Sequence, residues 1–254
     1  MTDHVDVSTS QGVLTLTLNR PDKKNALTDA MYGALADALE AAQADPAVRV
    51  AVIRGEGGMF CAGNDIADFL GVAAGDVAQA QVFRFIRLLG SFAKPLVAGV
   101  QGRAVGIGTT MLLHCDQVVL SEDALLTAPF TTLGLVPEAA SSVLLPARIG
   151  YQRAFAMMAS GDAMGAKEAF ARGLAAVVVP NADLDAAVAK VAAGLAALPP
   201  QAVQATKALM RDKAAIAATM EREVAVFAER LQSAEAREAF TAFMEKRAPD
   251  FSRF

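Results

Sequence analysis

The sequence predicts a mixed α/β fold that gives way to helices toward the C-terminus. Apolar segments of strand length recur at 13–18, 48–53, 95–100 and 117–120. Stretches of helical periodicity such as 28–44 lie between them, and strands alternating with helices indicate parallel βα units packed in layers. From about residue 182 the strand signal stops. Only alanine-rich amphipathic segments remain, at 183–197, 201–213 and 216–246.

Each element has a local reason. Val13-Leu-Thr-Leu-Thr-Leu18 alternates as a half-buried strand does. The helix over 28–44 is capped by Thr28, carries Asp29 in its first turn and is stopped by Pro46. The strand at 48–53 ends at Gly55-Glu-Gly-Gly58, and the strand at 95–100 runs into the glycine-punctuated 102–108. An apolar helix over 109–114 and a short strand follow. Pro199-Pro200 separates the first two of the late helices. With no internal repeat and no low-complexity linker, the expected layout is a core over 1–195 and a helical region over 196–254.

Composition excludes several classes. The chain has 254 residues, 54% of them hydrophobic, enough to bury a large core. Its 23 basic and 27 acidic residues leave a net charge of −4, without the basic surface that a nucleic-acid partner needs. No apolar run is long enough to cross a bilayer. Met-Thr-Asp-His-Val-Asp at the start lacks the basic and apolar regions of a signal peptide, and Phe251-Ser-Arg-Phe254 is not the Ser-Lys-Leu address. The expected location is the cytoplasm.

The two cysteines and two histidines form no cluster with metal-ligand spacing and require no disulfide. Cys61, in Met59-Phe-Cys-Ala-Gly63, reads as a small buried hydrophobe. His4 falls near the chain end, and His114 reads as a last-turn or packing residue. A Cys–His nucleophilic pair would lack a third, orienting group.

Two strand-to-helix junctions invite a chemical reading. In Phe60-Cys-Ala-Gly63-Asn64-Asp65-Ile66 and in Gly102-Arg-Ala-Val-Gly106-Ile107-Gly108, glycine permits a tight turn and the following N–H groups start a helix unpaired. Two such donors converging on one carbonyl oxygen make an oxyanion hole, worth roughly 3–4 kcal/mol per donor in favourable cases. The alternative is a pair of ordinary turns. The glycines do not form the dinucleotide fingerprint.

Glu138 is the one acidic residue between Ala124 and Gly161, set in Leu133-Gly-Leu-Val-Pro-Glu138-Ala-Ala-Ser-Ser-Val-Leu-Leu-Pro146. A poorly hydrated carboxylate has a raised pKa and can take and return a proton near neutrality. The same residue also reads as a first-turn acid of a helix rich in residues 140–145, with no chemical role.

The order Asn19-Arg-Pro21, Lys24-Asn-Ala-Leu27, Phe60-Cys-Ala-Gly-Asn-Asp-Ile66, Lys94-Pro-Leu-Val-Ala-Gly-Val100 and Gly102-Arg-Ala-Val-Gly106 resembles the crotonase, or enoyl-CoA hydratase/isomerase, superfamily over nearly the whole chain. The resemblance implies a crotonase-like (ClpP/crotonase) spiral of ββα units with two roughly perpendicular sheets. It implies that residues 196–254 form a trimerisation region, giving a homotrimer or a hexamer of two trimers. It implies an acyl-CoA thioester as substrate, whose carbonyl is held by the backbone N–H groups of Asn64 and Ile107. Coenzyme A is then part of the substrate, and no separate cofactor or metal is expected. The backbone around Ala26, Ala62, Gly63, Asn64, Asp65, Ile66 and Gly106 would line its path. Lys23 and Lys24 would meet its phosphates or else belong to a solvated loop.

Departures from the superfamily narrow the chemistry. Its hydratases hold water with two glutamates, and this chain has Thr110 and Phe130 at those places. Glu138 remains, eight residues beyond Phe130. The pattern is similar to the peroxisomal-type Δ3,Δ2-enoyl-CoA isomerases, matched here by Ala62-Gly-Asn-Asp65, Ala104-Val-Gly-Ile107 and Pro137-Glu-Ala-Ala-Ser-Ser142. Such an enzyme removes a C2 proton from a 3-enoyl thioester with a single ionised acid and delivers it to C4 through a dienolate. Asp65 and Asp68 read as capping or ion-paired residues rather than second acids. Phe69, Leu70, Phe83 and Phe130 are candidates for the acyl pocket; Arg103 and Arg148 read equally as structural or pocket residues. A hydratase, a ring-type acyl-CoA isomerase of aromatic-acid breakdown, and a non-catalytic acyl-CoA-binding protein are the alternatives.

Overall fold

The computed structural model describes residues 2–68 and 80–254. Strands β1 (Val5–Ser10) and β2 (Val13–Leu18) form an antiparallel hairpin, turned at Gln11 and Gly12, both with positive φ. Then β3 (Val50–Gly55), β4 (Leu96–Val100), β6 (Gln117–Ser121) and β9 (Val177–Val179) join in parallel, giving the order β1-β2-β3-β4-β6-β9. A second sheet holds β5 (Arg103–Val105), β7 (Leu125–Thr127) and β8 (Met164–Gly165), in the order β5-β7-β8. This is the mixed α/β architecture with a helical C-terminal region that the sequence predicts.

The inner strands read as continuous apolar runs because both faces are covered. On one face lie α1 (Asp29–Ala44) and α2 (Gln81–Ser91) with the main core, where Leu16, Leu35, Ala51, Phe85 and Ala98 meet. On the other, Val50, Val52, Val97 and Val119 pack against Leu184, Val188 and Ala192 of α7 (Leu184–Ala196). Lys94 ties the edge of this assembly together. Its Nζ donates to the carbonyls of Ala42, Asp45 and Val48 at 2.6, 2.6 and 2.8 Å, capping the end of α1. Its own carbonyl accepts from Lys207 Nζ at 2.8 Å, and that ammonium pairs with Asp116.

The helix expected over 109–114 is a single α turn, α3 (Ile107–Thr110), that tightens into a 3-10 turn at Met111–His114. Next come α4 (Ser141–Ile149), α5 (Tyr151–Phe155) and α6 (Ala166–Ala171). After α7 lies α8 (Pro200–Met210), which begins at the proline pair. The helix expected over 216–246 is two helices, α9 (Lys213–Leu231) and α10 (Ala234–Met244). Ser233 makes the break, its hydroxyl accepting from the N–H of Ala236 in the standard manner of an N-cap. The bend folds α10 back over the 3-10 turn Thr131–Leu133. Gly134 allows this approach: a Cβ there would lie 2.7 Å from the backbone N of Ala236. Among the described residues, no single helix is long and apolar enough to cross a membrane.

Candidate active site

Segments 60–66 and 102–110 run side by side because backbone bonds zip them together. Cys61 N–H donates to Arg103 O at 3.1 Å, and Val105 N–H donates to Cys61 O at 2.9 Å. On the far side of the first segment, Leu27 N–H donates to Gly63 O and Asp65 N–H to Leu27 O. The amide of Asn64, between these two bonds, donates to no acceptor among the described residues. In the second segment Gly106 adopts φ 55° and ψ −119°, a conformation open to glycine, which leaves the Ile107 N–H at the unpaired first position of α3. Gly108 sets how closely the two segments approach. A Cβ there would stand 2.9 Å from both the Cβ and the carbonyl oxygen of Cys61.

Asn64 and Ile107 border one cavity of about 680 Å³, and Glu138 borders it too. The reading of Glu138 as a first-turn helix acid is not what the structure shows. Helix α4 starts only at Ser141, and Glu138 precedes two consecutive left-handed residues, Ala139 (φ 58°) and Ala140 (φ 54°). Its side chain is buried. Oε1 accepts a hydrogen bond from the Thr110 hydroxyl, and Oε2 has no partner among the described residues. Burial pushes the carboxyl up to about 8; the charge of Glu223 adds to this, while the Thr110 bond opposes it. The protonated form is therefore favoured at neutral pH, whereas the sequence suggests an acid ionised at rest. The difference comes from full burial without a cation beside it.

Other expected residues sort clearly. Lys23, Ala26, Ala62, Gly63, Asp65, Ile66 and Gly106 border the cavity. Lys24 is exposed at a left-handed position and contributes its carbonyl to the N–H of Ala62. Asp65 both pairs with Arg20 at 2.7 Å and accepts from the N–H groups of Ala67 and Asp68. Although burial works the other way, these contacts with Arg20 and the backbone hold its carboxyl below the usual range. Asp68 accepts from the N–H of Asp29 at 2.7 Å. Phe130 borders the cavity, but Phe83 does not: it lies in the core behind Phe227, ring centroids 6.1 Å apart. Phe69 and Leu70 fall outside the described residues. Arg103 is exposed on β5, and Arg148 donates to Leu113 O at 3.3 Å beside a separate groove. Cys61 is fully buried, its thiol pushed up to about 12 by that burial, so it behaves as a hydrophobe.

Three features escape sequence reasoning. Thr110 donates its hydroxyl to the carboxyl of Glu138, 28 residues further along the chain. Tyr32 on α1 donates its hydroxyl to Asn64 Oδ1, and burial keeps this phenol protonated by raising its pKa well above the ordinary value. The apolar wall of the cavity comes from the late helices, through Phe227 of α9 and Phe240, Phe243 and Met244 of α10. Phe227 and Phe240 have the helical spacing of core residues, so local pattern cannot assign them to a site.

A carboxylate with one free oxygen, beside two free amide donors and an apolar wall, suits proton transfer at carbon next to a carbonyl. The enoyl-CoA hydratase/isomerase family profile matches residues 8–253. The chain belongs to this family. Curated relatives include the 2,3-dehydroadipyl-CoA hydratase of Escherichia coli K12, 37% identical over 96% of this chain and 97% of that protein. The enoyl-CoA delta isomerase 2 of Rattus norvegicus is 35% identical over 95% of this chain, which spans 63% of that longer protein. The 1,2-epoxyphenylacetyl-CoA isomerase of E. coli K12 is 32% identical over 95% of each. Among solved structures, an enoyl-CoA hydratase/isomerase from Pseudoalteromonas atlantica T6c superposes with a TM-score of 0.93 at 43% identity, covering 98% of this chain and 100% of the other. Members of this family thus include hydratases and isomerases of acyl-CoA thioesters, and the residues of the cavity have to decide between them.

Proposed function

We propose that this family member is an enoyl-CoA isomerase that moves the double bond of a 3-enoyl-CoA into conjugation as the 2-enoyl-CoA. One observation carries the reading: of the two acids that border the cavity among the described residues, Asp65 is ion-paired, which leaves Glu138 as the carboxyl there that is free to exchange a proton. The thioester carbonyl accepts from the N–H groups of Asn64 and Ile107. Ionised Glu138 takes a proton from C2, the electron pair moves into the carbonyl, and the negative charge of the dienolate is held by the two amides. Protonated Glu138 then returns the proton at C4, and the double bond settles between C2 and C3. Hydration would need a second group to orient water, and Thr110 and Phe130 occupy the two places where hydratases have acids. Lys23, at the cavity mouth, is the cation offered to the CoA phosphates; the substrate brings the CoA, and no other cofactor enters.

Supplied with a 3-enoyl-CoA, the protein is expected to generate the absorbance of a conjugated thioester. With a 2-enoyl-CoA it should hydrate at least 100-fold more slowly than it isomerises. Comparable hydration would replace this reading with the hydratase one. A ring-bearing substrate is the second reading, favoured by the phenyl rings of Phe130, Phe227, Phe240 and Phe243 around the cavity.

The same reading includes a cytoplasmic homotrimer or hexamer. Val143 on α4, with Leu209 and Met210 on α8, leaves apolar side chains in solvent that a partner copy would cover. Sedimentation velocity is expected to give a trimer or its double; a monomer at micromolar concentration would remove this part of the proposal.

A further inference from the structure

The turn that carries Glu138 is held in an unfavourable conformation from behind. Ala139 and Ala140 are both left-handed, a region that L-residues with a Cβ enter only at a steric cost. Nothing in the local sequence requires it, since neither residue is glycine, asparagine or aspartate. Two buried polar side chains from distant parts of the chain hold it there.

The first is Glu223, on the inward face of α9 and 7% exposed. Its Oε2 accepts from the N–H of Ala140 at 2.6 Å. Its Oε1 accepts from the N–H of Ser142 at 2.9 Å and from the Ser142 hydroxyl. Both oxygens face donors, so only an ionised carboxylate satisfies the arrangement. A protonated acid or an amide would turn a donor toward an N–H.

The second is His114, at the end of the 3-10 turn that follows Thr110 and fully buried. Its Nε2 lies 2.7 Å from Ala139 O, which can only accept, so Nε2 carries the proton. Its Nδ1 lies 2.9 Å from Arg211 Nη2, which can only donate. Arg211 thus fixes the tautomer, and a second guanidinium bond to His114 O at 3.0 Å fixes the residue itself. Burial first, then the positive charge of Arg211, pushes the imidazole down to about 3 and keeps the ring neutral.

The geometry points to Glu223 and His114 as positioning residues that clamp the Ala139–Ala140 turn from its two sides and so aim Glu138 at the substrate carbon. Glu223 takes the amides of the turn, and His114 takes its carbonyl. Neither is among the described residues that border the cavity. The inference rests on Glu138 being the base, and it adds where the accuracy of that base comes from. Displacement of a catalytic group by about 1 Å is enough to lower a rate about 100-fold.

The test uses five single variants assayed with a 3-enoyl-CoA, each with its thermal unfolding midpoint. Glu223→Gln and His114→Leu are expected to lower kcat 10- to 100-fold with KM changed less than threefold. His114→Gln, whose amide nitrogen can replace Nε2 as donor, is expected to recover most of the rate. A merely structural role would lower the midpoint, leave the kcat of the folded protein intact, and give no recovery with glutamine. If either variant fails to fold, Ser142→Ala removes one of the three donors to Glu223 at an exposed position and should lower kcat threefold to tenfold. Wild-type kcat in folded Glu223→Gln and His114→Leu, or in Ser142→Ala where those do not fold, overturns the clamp. Glu138→Gln is the reference: if it keeps full activity, the choice of base is what fails, whatever the clamp variants do.

Discussion

Glu138→Gln is expected to lower the isomerisation kcat by 10³- to 10⁴-fold while KM for the acyl-CoA changes little. The upper part of the range that general acid–base catalysis contributes is appropriate because in the proposed mechanism one group performs both proton transfers. Glutamine keeps the volume and can still accept from the Thr110 hydroxyl, so the loss reports the proton and not the packing. The pH dependence supplies an independent signature. With the carboxyl pushed up to about 8, the active ionised form grows about tenfold per unit below that pH, so kcat/KM should rise with pH and level off above about 8. Stability runs in the opposite sense. An unfolded glutamate ionises near 4.5, so the folded chain holds its proton longer. The contribution of this group is therefore fully present below pH 4.5, falls as pH rises toward 8, and has been lost above it. Relative to wild type, Glu138→Gln should gain up to about 3–5 kcal/mol between pH 4 and pH 9. Denaturant unfolding at the two pH values measures it. Equal pH dependence in the two proteins would mean that Glu138 is not buried as described.

Gly108→Ala is expected to lower kcat about 100- to 1000-fold with Glu138 untouched. The added methyl would stand 2.9 Å from Cys61 O, a backbone atom that cannot swing aside. Segments 60–66 and 102–110 must then separate, and the Asn64 and Ile107 amides no longer meet one oxygen. The loss of a single oxyanion donor is worth about 10²- to 10³-fold. The signature is selective: enolate formation, followed by exchange of the C2 protons of a saturated acyl-CoA with D₂O, should fall in parallel with isomerisation. Gly106→Ala makes a useful contrast, because its Cβ would meet nothing within 4 Å and only its positive φ is strained. Wild-type turnover in Gly108→Ala would show that the two amides do not act together.

Much of this site is legible in the residue order, and the rest is hidden for definite reasons. Glu138 stands out because an acid in apolar text is conspicuous; the glycine-marked bends suggest unpaired N–H groups, and the family resemblance names those of Asn64 and Ile107. The strand Val13–Leu18 and the helix opening at Thr28 declare themselves by period and cap. Contacts between distant segments do not. Thr110 meets Glu138 across 28 residues, and Glu223 meets Ala140 across 83. Glu223 sits among Glu221 and Arg222, where it looks like any residue on a solvated helix face. The break at Ser233 is missed because alanine-rich text on both sides keeps helical periodicity, while the turn depends on what α10 packs against. Left-handed Ala139 and Ala140 are invisible because alanine is a strong helix former and only tertiary contacts override it.

The Thr110–Glu138 hydrogen bond also constrains how such a molecule can change its trade. An acid introduced at 110 would arrive against Glu138 in a buried site, and two carboxyls there cannot both ionise. A route toward hydratase chemistry that begins at this codon passes through a form with its base silenced and its fold burdened. Glu138 would have to go first or at the same step. On the reading proposed above, an acid at 110 and an ionised base at 138 therefore exclude each other as neighbours in this cavity.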